Sequence, residues 1–313
     1  KTMTLKQNFN IPAEVLLVTG GLQNAGVEAY IVGGCVRDLL IGKTPKDWDV
    51  TTNAVPEEIQ AIFPDTFYEN KFGTVGVENK ETEIDNLKVI EVTPYRLESL
   101  YSDNRHPDKV QFSKNLADDL KRRDFTMNAI AYDPASGELV DLYEGMEAIK
   151  DKMIKAVGDA NERFTEDALR ILRAVRFSAQ HGFVIEAETM AAMAKHSDLL
   201  ANISAERVRD EFVKMLMSDE PIIGIVMAQK LGILKYIIPE LEIGIGVEQN
   251  GEHIYDVWEH NLRTMQHAAD KDWPLHIRLS GLLHDIAKPH TREWSKEKNN
   301  YTFYGHDVVG AKI

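Results

Sequence analysis

The residues with most chemical potential crowd into Tyr30–Val50, YIVGGCVRDLLIGKTPKDWDV. A short apolar run, Tyr30-Ile31-Val32, leads into Gly33-Gly34, and Asp47 and Asp49 flank Trp48 downstream. Glycine has no Cβ, so a turn built on it comes close to a bulky anion. Amides opening the next helix then point at that anion, aided by the helix dipole. Asp47 and Asp49 are two residues apart, so on a strand both carboxylates face one side. Hard oxygen ligands on one face suit Mg²⁺ carrying nucleotide phosphates. Alone, Asp-x-Asp is also what a solvated edge strand displays. The Gly-Gly turn and Arg37-Asp38 between weight it toward the metal. Gly33, Gly34 and Arg37 are expected to cradle phosphates, although Arg37 is equally able to pair with Asp38 or Asp47.

Two further cationic stretches stand out. Arg122-Arg123-Asp124-Phe125-Thr126-Met127-Asn128-Ala129-Ile130 puts charge and acceptors close together; as plain structure it is a salt-bridged helix start. In Glu166-Asp167-Ala168-Leu169-Arg170, Thr165 is the expected N-cap, with Glu166 and Asp167 in the first turn, where acids also simply suit the dipole. Asp167 and Arg170 are three apart and so share a helix face. Asp accepts and Arg donates in a fixed fork, a pair able to hydrogen-bond the edge of a base. Arg173 and Arg176 continue the cationic ridge, toward phosphate or toward packing.

Taken in order, these motifs resemble the bacterial class II tRNA nucleotidyltransferase and poly(A) polymerase family. That family belongs to the polymerase-β-like nucleotidyltransferases. The likeness covers about residues 30 to 215, and ordered agreement is more specific than one pattern. It implies transfer of nucleotides from CTP and ATP to a tRNA 3′ end, adding or repairing CCA. A poly(A) polymerase or A-adding member is the alternative. The reaction is an in-line attack by a 3′-hydroxyl on an α-phosphate, with two metals about 3.5–4 Å apart stabilising both oxygens. Asp47 and Asp49 are the expected ligands. Glu91 is the candidate third carboxylate, although a charge at a strand end is commonly solvated. The resemblance further implies that Arg122 and Arg123 meet phosphates and that Asp124 and Asn128 contact the ribose or order the site. It also implies that Asp167 and Arg170 template the base and that Glu166 fixes Arg170. Residues 94 to 112 match its flexible loop, through Arg96, Asp103, Arg105 and Pro107. Glu206-Arg207-Val208-Arg209 is expected to be structural, and Val157-Gly158-Asp159 a hinge.

Near the end, His260, His284-Asp285 and His306 resemble an HD-type metal-dependent phosphohydrolase block. Imidazoles and a carboxylate suit a transition metal. The last aspartate of that set is not identifiable before Ile313, and His253 is incidental. An HD phosphohydrolase is the alternative from another functional class.

These residues need a scaffold. The expected fold is α+β: a nucleotidyltransferase head with a mixed sheet and helices (1–145), a helical neck (146–215) and a helical body (216–313), the last expected to be truncated. Glu14–Asn24 suits a helix. Thr74–Val77, Leu87–Val92 and Glu138–Asp141 suit strands, the last after the Asp133–Gly137 turn. Beyond 146 strand signals nearly vanish, and Pro221, Pro239 and Gly244-Ile245-Gly246 punctuate periodic apolar segments. The 313 residues carry a formal charge of −14, which disfavours nucleic-acid binding by the whole surface but leaves room for a local basic groove. One cysteine, Cys35, fits a reducing compartment. With no apolar run near 18 residues a membrane span is not expected, and neither is a protein partner. The expected location is the cytoplasm.

Overall fold

The computed structural model describes residues 5–68, 73–99, 109–249 and 254–313. The chain divides into two compact units, Lys1–Glu166 and Asp167–Ile313. The first runs β1 (Leu5–Lys6), α1 (Ala13–Asn24), β2 (Ala29–Val32), α2 (Gly34–Leu40), β3 (Asp49–Thr52), α3 (Pro56–Ile62), β4 (Thr66–Tyr68), β5 (Val75–Glu78), β6 (Val89–Pro94), β7 (Arg96–Ser99), β8 (Lys109–Phe112), α4 (Leu116–Lys121), β9 (Ile130–Asp133), β10 (Glu138–Asp141), α5 (Gly145–Lys150), β11 (Met153–Ile154) and α6 (Ala160–Glu166). Eight strands form one mixed sheet in the order β1-β10-β9-β2-β3-β6-β5-β4. Among the described residues of this sheet, only β3 and β6 pair in parallel; the other neighbours are antiparallel. β7 and β8 make a separate hairpin at the two ends of the expected loop. Asp103, Arg105 and Pro107 of that loop, and His253, lie outside the described residues.

Strand alternation sorts the sheet's faces. Ile31, Val50, Ile90, Val92 and Leu139 pack with Val15, Val18 and Leu22 of α1 in the larger core. Val32, on the opposite face, packs with Tyr95, Leu116, Leu120 and Ala131. Asp49 and Glu91 are the alternation partners of Val50 and Val92, so they project away from the larger core. The expected strands at Leu87–Val92 and Thr74–Val77 are shifted by a residue or two, β10 coincides with its expected limits, and α1 continues through Gly20-Gly21. Gly21 earns its place there: a Cβ on it would sit 2.8 Å from the Phe63 ring.

The second unit contains α7 (Leu169–His181), α8 (Ala187–Lys195), α9 (Ala205–Leu216), α10 (Pro221–Lys230), α11 (Val257–Asp270), α12 (Leu275–Leu283), α13 (Lys288–Thr291) and α14 (His306–Gly310). It is helical as expected, apart from the two-residue strand Val184–Ile185 and a hairpin pairing Glu293–Ser295 with Asn300–Thr302. Gly281 lets α12 approach the α11 backbone; a Cβ there would be 3.1 Å from the Met265 amide nitrogen. Arg278 of α12 is 2% exposed. Its Nη1 donates to the carbonyls of Leu216 and Ser218 at 2.9 and 2.7 Å, and its Nε to that of Trp273 at 2.8 Å. One guanidinium therefore stitches α12 to the end of α9. Among the described residues no helix is long and apolar enough to cross a membrane.

Arg278→Met should strand those buried carbonyls and destabilise the helical unit by about 2–4 kcal/mol, whereas Arg263→Met, which removes an exposed pair with Glu259 and a surface contact with the Tyr255 ring, should cost less than about 1 kcal/mol. Urea unfolding followed by circular dichroism checks both; equal effects would contradict the stitching role.

Candidate active site

The head's site is built on Gly33. This residue caps α2 with φ 85° and ψ −134°, a conformation side chains resist, and its amide donates to the Ile130 carbonyl at 3.3 Å. A Cβ here would lie 2.9 Å from Arg123 Nη1 and 3.8 Å from Asp49 Oδ2. The bare Cα thus floors a space that a guanidinium and a carboxylate both border. Asp49 opens β3 and is half-buried, and Glu91 sits at the facing register position on β6, exposed. Glu91 is therefore inside its strand, not at its end. Asp47 is exposed in the bend before β3, so the expectation that both aspartates share one strand is corrected: only Asp49 does. Among the described residues the three carboxylates do not gather their oxygens within 4.8 Å of one another, so they form no closed ligand cage.

Arg37, Asn128 and Asp124 form a buried chain behind the turn. Arg37 Nη1 donates to Asn128 Oδ1 at 2.7 Å, and its Nε and Nη2 donate to Asp38 Oδ1 at 3.0 and 2.8 Å. Asn128 Nδ2 donates to Asp124 Oδ1 at 3.1 Å, which also accepts from the Phe125 amide at 2.7 Å. These bonds give Arg37 the structural pairing with Asp38 that its sequence allowed, and join Asp124 and Asn128 to it in one hydrogen-bonded chain.

Arg122 and Arg123 converge on Asp119, which is fully buried. Its Oδ1 accepts from Arg122 Nε and Nη2 at 2.9 and 2.6 Å, and its Oδ2 from Arg123 Nη2 at 3.0 Å. Burial alone would raise the Asp119 pKa, but the two guanidiniums outweigh it and hold the carboxyl below its ordinary range. Asp119 escaped the sequence reading, although its spacing of three and four to these arginines on one helical turn is a usable signal.

The stretch expected to select the base is arranged differently from expectation. Thr165 is not an N-cap: it lies inside α6, its hydroxyl turned back to the Asn161 and Glu162 carbonyls, and Glu166 ends that helix. Glu166 accepts from Arg163, whose Nη1 donates to the Lys121 carbonyl. Within the second unit, Asp167 Oδ1 accepts from the Leu169 amide at 3.1 Å just ahead of α7. Its carboxylate also takes a bidentate fork from Arg207, at 3.1 and 2.7 Å. Arg207 was expected to be structural; it holds the proposed templating carboxylate from 40 residues away. Arg170 is buried on α7. Arg176 pairs with Glu211 of α9 and lies 4.0 Å over the Phe177 ring, and Arg173 approaches Glu211 at 3.8 Å. Both ridge arginines therefore brace α7 against α9.

In the C-terminal part, His260, His284 and Asp285 bring ligand atoms within 4.8 Å of one another, the one such group among the described residues. Asp285 Oδ2 lies 3.4 Å from His260 Nε2 and 3.1 Å from His284 Nε2; its Oδ1 is 3.3 Å from His306 Nε2. Nδ1 of His284 and of His306 faces a backbone carbonyl, Gly281 at 2.9 Å and Phe303 at 2.8 Å. A carbonyl only accepts, so both Nδ1 atoms carry hydrogen and turn Nε2 inward as a ligand. Nε2 of His260 and of His284 are 3.1 Å apart, lone pair toward lone pair unless a cation or proton intervenes. The donor set thus fits a metal ion. Lys288 Nζ also reaches Asp285, at 2.7 Å, and Gln249 at 2.6 Å. Burial would raise the Asp285 pKa, but hydrogen bonds from His284 and Lys288 depress it, and the same Asp285 contact raises that of His284.

The chain matches family models described as "Poly A polymerase head domain" over residues 29–155, "Probable RNA and SrmB- binding site of polymerase A" over 182–243 and "HD domain" over 257–313. It is 45% identical over 238 residues to a CCA-adding enzyme of Leuconostoc mesenteroides, covering 76% of this chain and 57% of that one. Its identity to a CCA-adding enzyme of Lactiplantibacillus plantarum is 44% over 217 residues, covering 69% and 52%. The chain spans about half the length of these curated relatives. It superposes on the crystal structure of the Bacillus stearothermophilus CCA-adding enzyme in complex with CTP with a TM-score of 0.68 at 32% identity, covering 91% of this chain and 72% of that one. A tRNA nucleotidyltransferase complexed with a primer tRNA and an incoming ATP analogue gives 0.63 at 26% identity, covering 85% and 74%. The first unit is a polymerase-β-like nucleotidyltransferase head. The chain belongs to the bacterial tRNA nucleotidyltransferase and poly(A) polymerase family, the family of the CCA-adding enzymes.

The histidine cluster makes its own prediction. Asp285→Ala should weaken Mn²⁺ binding by roughly 10- to 100-fold, measured by titration calorimetry, because it removes the one carboxylate all three imidazoles face. Unchanged affinity would remove the metal role from this cluster.

Proposed function

We propose that this chain adds or repairs the 3′ CCA end of tRNA from CTP and ATP, selecting each nucleotide without a nucleic-acid template. The observation that carries the reading is the Gly33 turn, where a carboxylate and a guanidinium border a space kept open by a missing Cβ. Asp47, Asp49 and Glu91 would hold Mg²⁺. Their loose arrangement suits that ion, which commonly takes one or two carboxylates and completes its shell with water and nucleotide phosphates. When bound, the metal supplies charge neutralisation at the phosphate oxygens.

The chain's own residues do the rest. Arg122 and Arg123 bind the triphosphate, Gly33 and Gly34 admit it, and the buried Arg37–Asn128–Asp124 chain keeps the turn in shape beneath the ribose. The tRNA 3′-hydroxyl attacks the α-phosphorus, the bond to the bridging oxygen breaks, and pyrophosphate leaves. Asp167 and Arg170 present an acceptor and a donor fork to the base edge, with Arg207 steadying Asp167. Glu166 remains assigned to this base-reading set, while Arg173 and Arg176 support it from the α7–α9 brace. The functional division is a head to 145, a neck to 215 and a body to 313. The acidic chain meets tRNA through a local basic groove, so salt weakens binding with a modest slope. A single, buried cysteine supports a reducing, cytoplasmic setting.

A second reading attaches to the His260–His284–Asp285–His306 cluster. Its imidazole-rich donor set favours a transition metal, and with it a phosphohydrolase activity of the HD type.

Incubation with tRNA lacking CCA and each nucleotide separately tests the main reading. Extension by CTP and then by ATP is expected; ATP tails on unrelated RNA would favour poly(A) polymerase. Asp47→Ala or Asp49→Ala should abolish addition in a folded protein, through loss of several kcal/mol of transition-state stabilisation. The Asp167→Ala/Arg170→Ala variant should keep residual addition but no longer prefer CTP and ATP over UTP and GTP. A retained preference would refute templating.

A further inference from the structure

Asp119 lies outside every motif that pointed to the chemistry, yet it is the residue on which two arginines of the site converge. Both of its oxygens are committed: Oδ1 to the Nε and Nη2 of Arg122, Oδ2 to the Nη2 of Arg123. It is completely buried, while the two arginine side chains are 16% and 17% exposed. A buried acid usually neutralises; this one is kept ionised by the guanidiniums it holds.

The pairing leaves Arg123 with donors to spend. Its Nε is buried with no hydrogen-bond partner, and its Nη1 stands over the bare Cα of Gly33, 2.9 Å from where a Cβ would be. Asp49 Oδ2 borders the same point. An arginine tied through Nη2, with Nη1 facing a glycine floor beside a carboxylate, is arranged for an anion of several oxygens. The tie itself is short: Asp119 is on α4 and the arginines begin where α4 ends, so the orientation is set by one helical turn. Arg163, donating to the Lys121 carbonyl at 3.1 Å, anchors that turn from α6.

We propose that Asp119 is a positioning residue for triphosphate binding, fixing the Arg122 and Arg123 guanidiniums so that Arg123 reaches over Gly33. The proposal rests on the nucleotidyltransferase reading above and deepens it. Asp119 touches no substrate; it acts through the arginines. A carboxylate is required because only an acceptor-only group can hold two cationic forks at once. Asparagine would turn an amide donor toward a guanidinium and break one of the ties.

The test measures binding of inorganic tripolyphosphate by titration calorimetry, together with KM and kcat for CTP addition to tRNA lacking CCA. Asp119→Asn should weaken tripolyphosphate binding and raise the KM for CTP by about 10- to 100-fold, with a smaller change in kcat and unchanged preference for CTP over UTP. Adding Asp119→Asn to Arg122→Ala/Arg123→Ala should cause no further loss, since Asp119 acts through those two arginines. Wild-type tripolyphosphate affinity in folded Asp119→Asn, or a further multiplicative loss when Asp119→Asn is added to the double arginine variant, would overturn the proposal. Should Asp119→Asn fail to fold, Arg123→Lys decides. Lysine keeps the charge but cannot tie to Asp119 and cover Gly33 together, so a similar loss is expected and wild-type affinity would overturn it. A wild-type chain that binds tripolyphosphate through Asp119 yet adds no nucleotide would leave this proposal standing and sink the functional reading. Active wild-type protein with an indifferent Asp119 would do the reverse.

Discussion

The head depends on one steric fact: at Gly33 the backbone has no side chain and holds a positive φ of 85°. That single position lets Arg123, Asp49 and the end of β9, through the Ile130 carbonyl, approach a common point. The sheet order follows from the same need. β2 must deliver the turn, β3 must begin with Asp49, and the one parallel pairing, β3 with β6, sets Glu91 beside Asp49 in register. Antiparallel pairing there would have run β6 the other way past the turn. Hydrophobic packing of Val50, Ile90 and Val92 on the opposite face makes the register costly to slip, because a one-residue shift would bury the carboxylates.

Around this floor the chain manages charge by pairing. It is strongly acidic overall, yet several arginines of the expected sites have a specific carboxylate: Arg37 with Asp38, Arg122 and Arg123 with Asp119, Arg207 with Asp167, Arg176 with Glu211. Such pairs are weak evidence for stability, since desolvation offsets attraction. They are better understood as aiming devices. A long, flexible side chain held by two hydrogen bonds loses its rotamer freedom before a ligand arrives, so that entropy is not charged to binding. The helical unit uses the same device at its metal-competent cluster, where Asp285 gathers three imidazoles and Lys288.

What the sequence made legible was local. The turn at Gly33, the strand at Asp49 and the limits of β10 follow from spacing, turn chemistry and residue type, none of which needs a tertiary partner, whereas the histidine cluster was legible through its resemblance to an HD block. What it hid was non-local or depended on where one helix stops. Arg37 meets Asn128 across 91 positions, Arg207 meets Asp167 across 40 and Glu211 meets Arg176 across 35. No periodicity records such distances. Thr165 read as a cap because Thr followed by acids is a sound start signal, but α6 was already under way and the break falls at Asp167. Asp47 read as a strand residue because Asp-x-Asp alternates; the chain instead bends there and enters β3 at Asp49. Asp119 alone of the missed residues was within reach of helical spacing.

The central claim is that the open floor at Gly33 carries nucleotide transfer, and Gly33→Ala tests it most directly. A methyl group there would meet Arg123 and stand in the Asp49 carboxylate's approach while leaving the helical unit's residues untouched. CTP addition to tRNA lacking CCA should fall by at least about 100-fold, with Mn²⁺ binding at the Asp285 cluster unchanged in the same protein. Addition within a few-fold of wild type in folded Gly33→Ala would contradict the account.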